Sequence, residues 1–197
     1  MQKTLTYYNK NATQFYNTTV TADMSETIEK FTATLPSHAT RILDLGCGSG
    51  RDSLYFLNHG YQVTAIDGSP ELCQKAATLI GQPVICQRFE DINYQNQFDG
   101  IWACASILHV EKSALTNIFQ KLTNALKPNG TIYASFKYGD FEGERGGRYF
   151  TDLTETTFTA LIAPITNLEL VQSFITTDVR PGRQDERWLN VIVMRIA

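Results

Sequence analysis

The sequence predicts an α/β fold with a doubly wound, mostly parallel sheet, and three observations carry that expectation. Strand-like and helix-like segments alternate from residue 41 onward, the pattern of a parallel sheet covered on both faces. A glycine-rich turn, Gly46-Cys47-Gly48-Ser49-Gly50, joins the first buried strand to the helix that follows it. Two long strand-like runs, 168–179 and 188–196, flank Arg180-Pro181-Gly182-Arg183, which marks them as an antiparallel pair.

Bulk properties fit one domain. A length of 197 residues lies slightly above the usual domain size. With 43% hydrophobic and 19% charged residues, the chain can bury a sizeable core and is not expected to be disordered. No repeat, low-complexity tract or Pro/Gly-rich linker divides it. The net charge of -3 argues against a nucleic-acid partner, whose phosphates usually meet a basic face. Residues 1–10 lack the apolar stretch of a secretory signal. No run approaches the ~18 apolar residues of a membrane span. Cys47, Cys73, Cys86 and Cys104 are dispersed without a CxxC pair, so reduced thiols are expected rather than disulfides or a zinc site. The expectation is a cytoplasmic protein with no membrane partner and no metal.

Each element has its own signal. Met24, Ile28, Phe31 and Leu35 recur at helical spacing, and Pro36 ends that helix. Upstream, Tyr7, Tyr8, Phe15 and Tyr16 lie in polar sequence, an aromatic arm too polar to be core by itself. Residues 41–45 read as the buried first strand. A helix through Leu54, Phe56 and Leu57 ends at Gly60. Residues 62–67 form the second strand. Ser69 then caps a helix with Pro70 at its first position, and Gly81 closes it. Residues 83–86 are a short third strand and 98–104 a fourth. Ser113 starts a helix with Leu115, Ile118, Phe119, Leu122 and Leu126 on one face. A turn at Pro128-Asn129-Gly130 precedes the fifth strand, 131–136. Residues 142–150 read as a mobile, glycine-bearing loop suited to a lid. Thr151 or Thr154 caps a last helix carrying Phe158, Leu161, Ile162 and Ile165.

The chemistry concentrates at the glycine turn. Glycines there permit positive φ and close approach of a ligand to the backbone. A dinucleotide fingerprint, GxGxxG, is the first rival, but Arg51 occupies the place of its third glycine. Asp44, two residues before Gly46, would repel a pyrophosphate and suit a cationic group such as an α-ammonium. Asp67 ends the second strand, where a carboxylate can accept from both ribose hydroxyls; a helix cap or turn is the alternative for a lone aspartate there.

Four ordered motifs now stand together: residues 42–50, 65–70, 98–103 and 126–131. They resemble motifs of the class I S-adenosylmethionine-dependent methyltransferases (types 11 and 12), most nearly the small bacterial enzymes grouped with tellurite-resistance proteins. The resemblance implies a Rossmann-like, seven-stranded sheet with an antiparallel last strand. It implies a single methyltransferase domain, 1–197, with 1–38 a helical arm covering the cofactor site. It also implies S-adenosyl-L-methionine as cofactor. Asp44, Gly46, Cys47, Gly48 and Gly50 would surround the methionine moiety, with Asp67 on the ribose and Gly68 and Ser69 beside the adenosine. Phe89, Glu90 and Asp91 would meet the adenine, although Arg88 stands where an acidic residue is common. Ala103 would offer its carbonyl to the amino group.

The acceptor is expected to be a small molecule, because the chain leaves no room for a polymer-recognition domain. His109 follows the fourth strand, where a base or an acceptor-orienting group would sit; a structural histidine is the other reading. Tyr149 is the second catalytic candidate. Tyr8, Tyr16, Lys137, Tyr138, Arg148 and Arg183 are candidate acceptor contacts, and the basic members suit an anionic acceptor. Acidic side chains nevertheless outnumber basic ones over residues 137–197, so internal ion pairing is open too. Two alternatives remain: a cofactor-binding module without turnover, and a protein or RNA methyltransferase. Ala103-Cys104-Ala105-Ser106 stands where an Asn-Pro-Pro-Tyr motif would favour amide or adenine nitrogen methylation.

Overall fold

A computed structural model describes residues 2–196. The chain opens with helices α1 (Gln2–Thr19) and α2 (Ser25–Thr32), then alternates through β1 (Arg41–Leu45), α3 (Arg51–Asn58), β2 (Gln62–Asp67), α4 (Pro70–Ile80), β3 (Ile85–Cys86), β4 (Phe98–Ala103), α5 (Lys112–Ala125) and β5 (Leu126–Lys137). It closes with β6 (Glu142–Arg145), β7 (Arg148–Thr151), α6 (Glu155–Ile162), β8 (Leu168–Thr177) and β9 (Arg187–Arg195).

Seven strands form one sheet in the order β3-β2-β1-β4-β5-β9-β8. The pairings from β3 to β5 are parallel. Strand β9 runs antiparallel to both β5 and β8, so β8 points the same way as β5. The carboxyl ends of β1, β2, β4, β5 and β8 therefore share one edge, where ligands bind in open α/β sheets.

Alternation along each strand divides the core between the two faces. Leu43, Ile101, Ile132 and Val193 face α5 and α6, meeting Leu115, Phe119 and Phe158. Ile42, Trp102, Tyr133 and Ile192 face the other way, against Phe31 of α2 and Phe56 of α3. Trp102 and Tyr133 stack at 4.0 Å on that face. Gly100 lets α2 approach closely, since a Cβ there would lie 2.7 Å from Phe31.

The caps follow the sequence. Ser69 accepts from the Leu72 amide with Pro70 behind it, and Gly81 ends α4 at φ +70°. Thr154, not Thr151, caps α6, in a reciprocal box with Thr157. Several boundaries differ from expectation. Helix α5 starts one residue before Ser113, and β3 shrinks to two residues. Strand β5 already begins at Leu126, with its register against β4 broken before Gly100 and Asn129 at φ +63°. The larger difference is at 142–150, expected as a mobile loop. It is a hairpin, β6–β7, closed by Gly146 and Gly147 at φ +58° and +78°. Two consecutive positive-φ residues make the turn whose twist matches the flanking strands.

Candidate active site

The turn after β1 is built on three left-handed glycines, each against a different neighbour. Gly46, Gly48 and Gly50 have φ of +78°, +55° and +82°. A Cβ on Gly46 would lie 2.4 Å from the Ser106 Cβ, one on Gly48 3.0 Å from the Phe15 ring, and one on Gly50 3.1 Å from Ala76 of α4. Gly50 thus permits helix packing, whereas Gly46 and Gly48 keep the cleft floor bare. The amides of Gly46 and Cys47 both donate to the Ile66 carbonyl, at 2.8 and 2.9 Å, tying the turn to β2.

Two carboxylates lie beneath this turn. Asp67 accepts from the Gly48 amide at 2.9 Å and from the Ser69 amide at 2.8 Å. Burial pushes its carboxyl above the usual range, while these backbone donors oppose the shift. Asp44 accepts from the Ser53 hydroxyl at 2.6 Å. Burial, with Asp52 nearby, raises its carboxyl as well. Asp52 itself is held by Arg51 and by the Trp102 indole N–H at 2.8 Å.

Helix α1 lies across the opposite wall. Besides Phe15 on Gly48, Leu5 packs on Gly68, where a Cβ would lie 2.7 Å from its side chain. Asn9 accepts from the Ser69 hydroxyl at 2.5 Å, and Gln2 accepts from Arg88 at 2.7 Å. The Thr4 hydroxyl accepts from the Tyr149 amide at 3.0 Å. Tyr8 reaches His109, with its hydroxyl oxygen 2.8 Å from Nε2. His109 Nδ1 lies 2.6 Å from the Tyr149 carbonyl oxygen. A carbonyl only accepts, so Nδ1 carries the proton. Burial holds the imidazole pKa at about 4, with nearby Arg148 acting in the same direction. His109 is therefore neutral at pH 7, and its bare Nε2 accepts from Tyr8.

The basic rim divides in two. Lys137 lies between Glu186 and Asp178 and over the Trp188 ring, 4.0 Å from its centroid. Arg180 forks onto Asp178 at 2.8 and 2.6 Å, and Arg183 pairs with Glu186. Against the opposing effect of burial, hydrogen bonds from Arg180 pull the Asp178 carboxyl down to about 2. Arg148 differs. Its guanidinium sits 4.6, 5.7 and 5.0 Å from the ring centroids of Tyr7, Tyr8 and Phe150. Its Nε is buried without a hydrogen-bond partner.

All these parts border one cavity of about 540 Å³, within the range of small-molecule sites. Of the residues expected at the cofactor, Gly46, Cys47, Gly48, Asp67, Gly68 and Phe89 line it. Asp44, Gly50, Ser69, Glu90, Asp91 and Ala103 do not line it. His109, Tyr8, Lys137, Arg148 and Arg183 line it too; Tyr16 and Tyr138 do not. Only the backbone of Tyr149 reaches this region through His109, because its hydroxyl donates to Glu142 at 2.8 Å. Sequence reasoning missed Leu5, Phe15, Gln87 and Ser106, all of which line the cavity. Ser106 is buried with its hydroxyl unpartnered. It follows Ala105, a non-glycine residue at φ +50°, and no residue-type signal marks such a position.

Residues 42–130 match the family model described as a methyltransferase domain. The chain is 32% identical over 119 residues to YqeM of Bacillus subtilis (strain 168), spanning 55% of this chain and 48% of that one. It is 31% identical over 115 residues to the ubiquinone biosynthesis O-methyltransferase of Xanthomonas axonopodis pv. citri (strain 306), spanning 55% and 47%. The matched stretch thus spans about half the length of these curated relatives. The fold is similar to that of the Burkholderia thailandensis 1,6-didemethyltoxoflavin-N1-methyltransferase, a structure with bound 1,6-didemethyltoxoflavin and S-adenosylhomocysteine. The TM-score is 0.74 at 21% identity, covering 98% of this chain and 87% of that one.

The residues present fit S-adenosylmethionine, the cofactor that a methyltransferase domain implies. A bare, left-handed backbone floors the cleft. The buried Asp67 carboxylate faces it at the end of β2, and the Ser106 hydroxyl is free to bond a ligand beside Gly46.

Proposed function

We propose that this chain is an enzyme that transfers a methyl group from S-adenosylmethionine to a small-molecule acceptor by in-line displacement. The observation that carries this reading is the continuity of the cavity, which runs from Gly48 and Asp67 to Arg148 and Arg183. Donor and acceptor would share one enclosure, as direct transfer needs. The small molecules named for the toxoflavin and ubiquinone relatives support an acceptor of that size.

When bound, the cofactor supplies an electrophilic sulfonium methyl. The chain's own residues would position and enclose the reactants. Asp67 would accept from the ribose hydroxyls on lone pairs left free by Gly48 and Ser69. Gln87, Arg88 and Phe89 would border the base. Asp44, whose carboxyl burial and Asp52 raise to about 8, would be drawn to its ionised form by an ammonium group placed before the turn, with Asp52 at the cavity wall beside it. Leu5, Tyr8 and Phe15 of the 1–38 arm would cover the cleft and exclude water. His109 would orient Tyr8 rather than withdraw a proton, because its free nitrogen is already engaged and weakly basic.

Calorimetry with S-adenosylhomocysteine, followed by homocysteine-nucleoside release across a panel of small acceptors, tests the reading. Binding with acceptor-dependent release is expected. Cofactor binding with no release across a broad panel would leave a binding module instead.

A further inference from the structure

Apart from Arg51 and Arg88 beside the cofactor cleft, four cations line the cavity wall, and they are not equivalent. Lys137, Arg180 and Arg183 share the carboxylates of Asp178 and Glu186. Arg148 has no carboxylate partner among the described residues, and its half-buried guanidinium lies against the rings of Tyr7, Tyr8 and Phe150. Its one side-chain contact to a polar group is long, 3.4 Å to the Tyr8 hydroxyl. That hydroxyl spends its proton on His109. Neutral His109 supplies no counter-charge. A buried guanidinium N–H with no acceptor is costly unless a ligand oxygen meets it. The rings offset part of that cost through their faces, yet they leave the Nε–H without an acceptor.

We propose that Arg148 is the anchor for an oxyanionic group on the methyl acceptor, which makes the acceptor class a small aromatic or conjugated acid. The inference rests on the methyl-acceptor reading of the cavity and deepens it. A planar anion satisfies both demands of the site. Its charge answers the guanidinium, and its ring lies among Tyr8, Phe150 and Trp188, all on or beside the cavity wall. A guanidinium edge matches a carboxylate or a phenolate–carbonyl pair through two N–H groups. Lys137, Arg180 and Arg183 are ion-paired internally and therefore do not compete for the anion. The hairpin β6–β7 holds Arg148 in register with Arg145, and the Tyr149 amide and carbonyl on either side are fixed by Thr4 and His109. The anchor is held on a rigid element.

Benzoate and its neutral isostere benzamide serve as probes, titrated calorimetrically into the protein with and without S-adenosylhomocysteine. Benzoate is expected to bind at least about tenfold more tightly than benzamide. Arg148→Gln is expected to abolish that preference and to leave homocysteine-nucleoside affinity within about twofold. Equal binding of the two probes overturns the proposal, as does undiminished benzoate binding by Arg148→Gln or failure of the wild type to bind benzoate at its solubility limit. Should Arg148→Gln fail to fold, the arginine Nε–H resonances of the wild type decide. One of them must shift with benzoate and not with benzamide, and no such shift overturns the proposal. Arg148-dependent benzoate binding by a protein that ignores S-adenosylhomocysteine would keep the anion site and remove the methyltransferase reading.

Discussion

Single side chains set the cofactor cleft, and each makes a measurable claim. Asp67 bonds two backbone amides and has lone pairs to spare. Asp67→Ala is expected to weaken S-adenosylhomocysteine binding by at least about tenfold, read by calorimetry; unchanged affinity would remove the ribose assignment. Gly48 combines φ +55° with a Phe15 ring 3.0 Å from its missing Cβ. Gly48→Val is expected to abolish binding while circular dichroism stays native, since the strain falls on a turn outside the core. His109 carries a pH signature. Its folded pKa of about 4 lies below the ordinary 6.5, so the unfolded chain binds the extra proton first. Its contribution to stability is complete above pH 6.5 and is lost as pH falls towards 4, up to about 3 kcal/mol. Urea midpoints of wild type and His109→Gln should therefore converge across that window. Parallel curves would show that His109 is not buried in its neutral form.

At the scale of elements, the sequence announced the parallel core and concealed the arm's contacts. Strands β1, β2 and β4, the α4 cap and the α5 stripe follow from hydrophobic runs, Ser69-Pro70 and the spacing of Leu115 to Leu122. Those signals are local. Helix α1 buries only Thr4, Ala12 and Thr19, so its apolar pattern says little; its register is set by partners far away, at Gly48, Gly68 and His109. The β6–β7 hairpin was legible in principle, through Gly146-Gly147, but its polar flanks masked it. Within the site, Gly46, Gly48 and Asp67 were readable as residue types in order, whereas Ser106 and Phe15 reach the cavity only through tertiary placement. The elements are testable too. Thr154→Ala removes the reciprocal α6 cap and is expected to cost about 1 kcal/mol in chemical denaturation. Gly147→Val meets both φ +78° and a Tyr7 ring at 3.2 Å, and is expected to lower benzoate affinity by displacing Arg148; retained affinity would mean that the hairpin does not hold the anchor.

At the scale of the molecule, the sheet divides the work. Phe31 packs on Phe56, Trp102 and Tyr133 and joins α2 to both the parallel strands and β5. Phe31→Ala is expected to destabilise the whole domain by about 3–5 kcal/mol in a single transition, and a biphasic urea curve would contradict that unity. Among the described residues, no helix is long and apolar enough to cross a membrane. The direction of β8 carries a wider consequence. Because it runs with β5 rather than against it, the 178–186 turn returns to the same rim as the glycine cradle without sharing a strand with it. The glycine cradle and this turn thereby sit on separate stretches of polypeptide, so a transplanted 179–185 segment is expected to leave S-adenosylhomocysteine affinity unaltered in calorimetry.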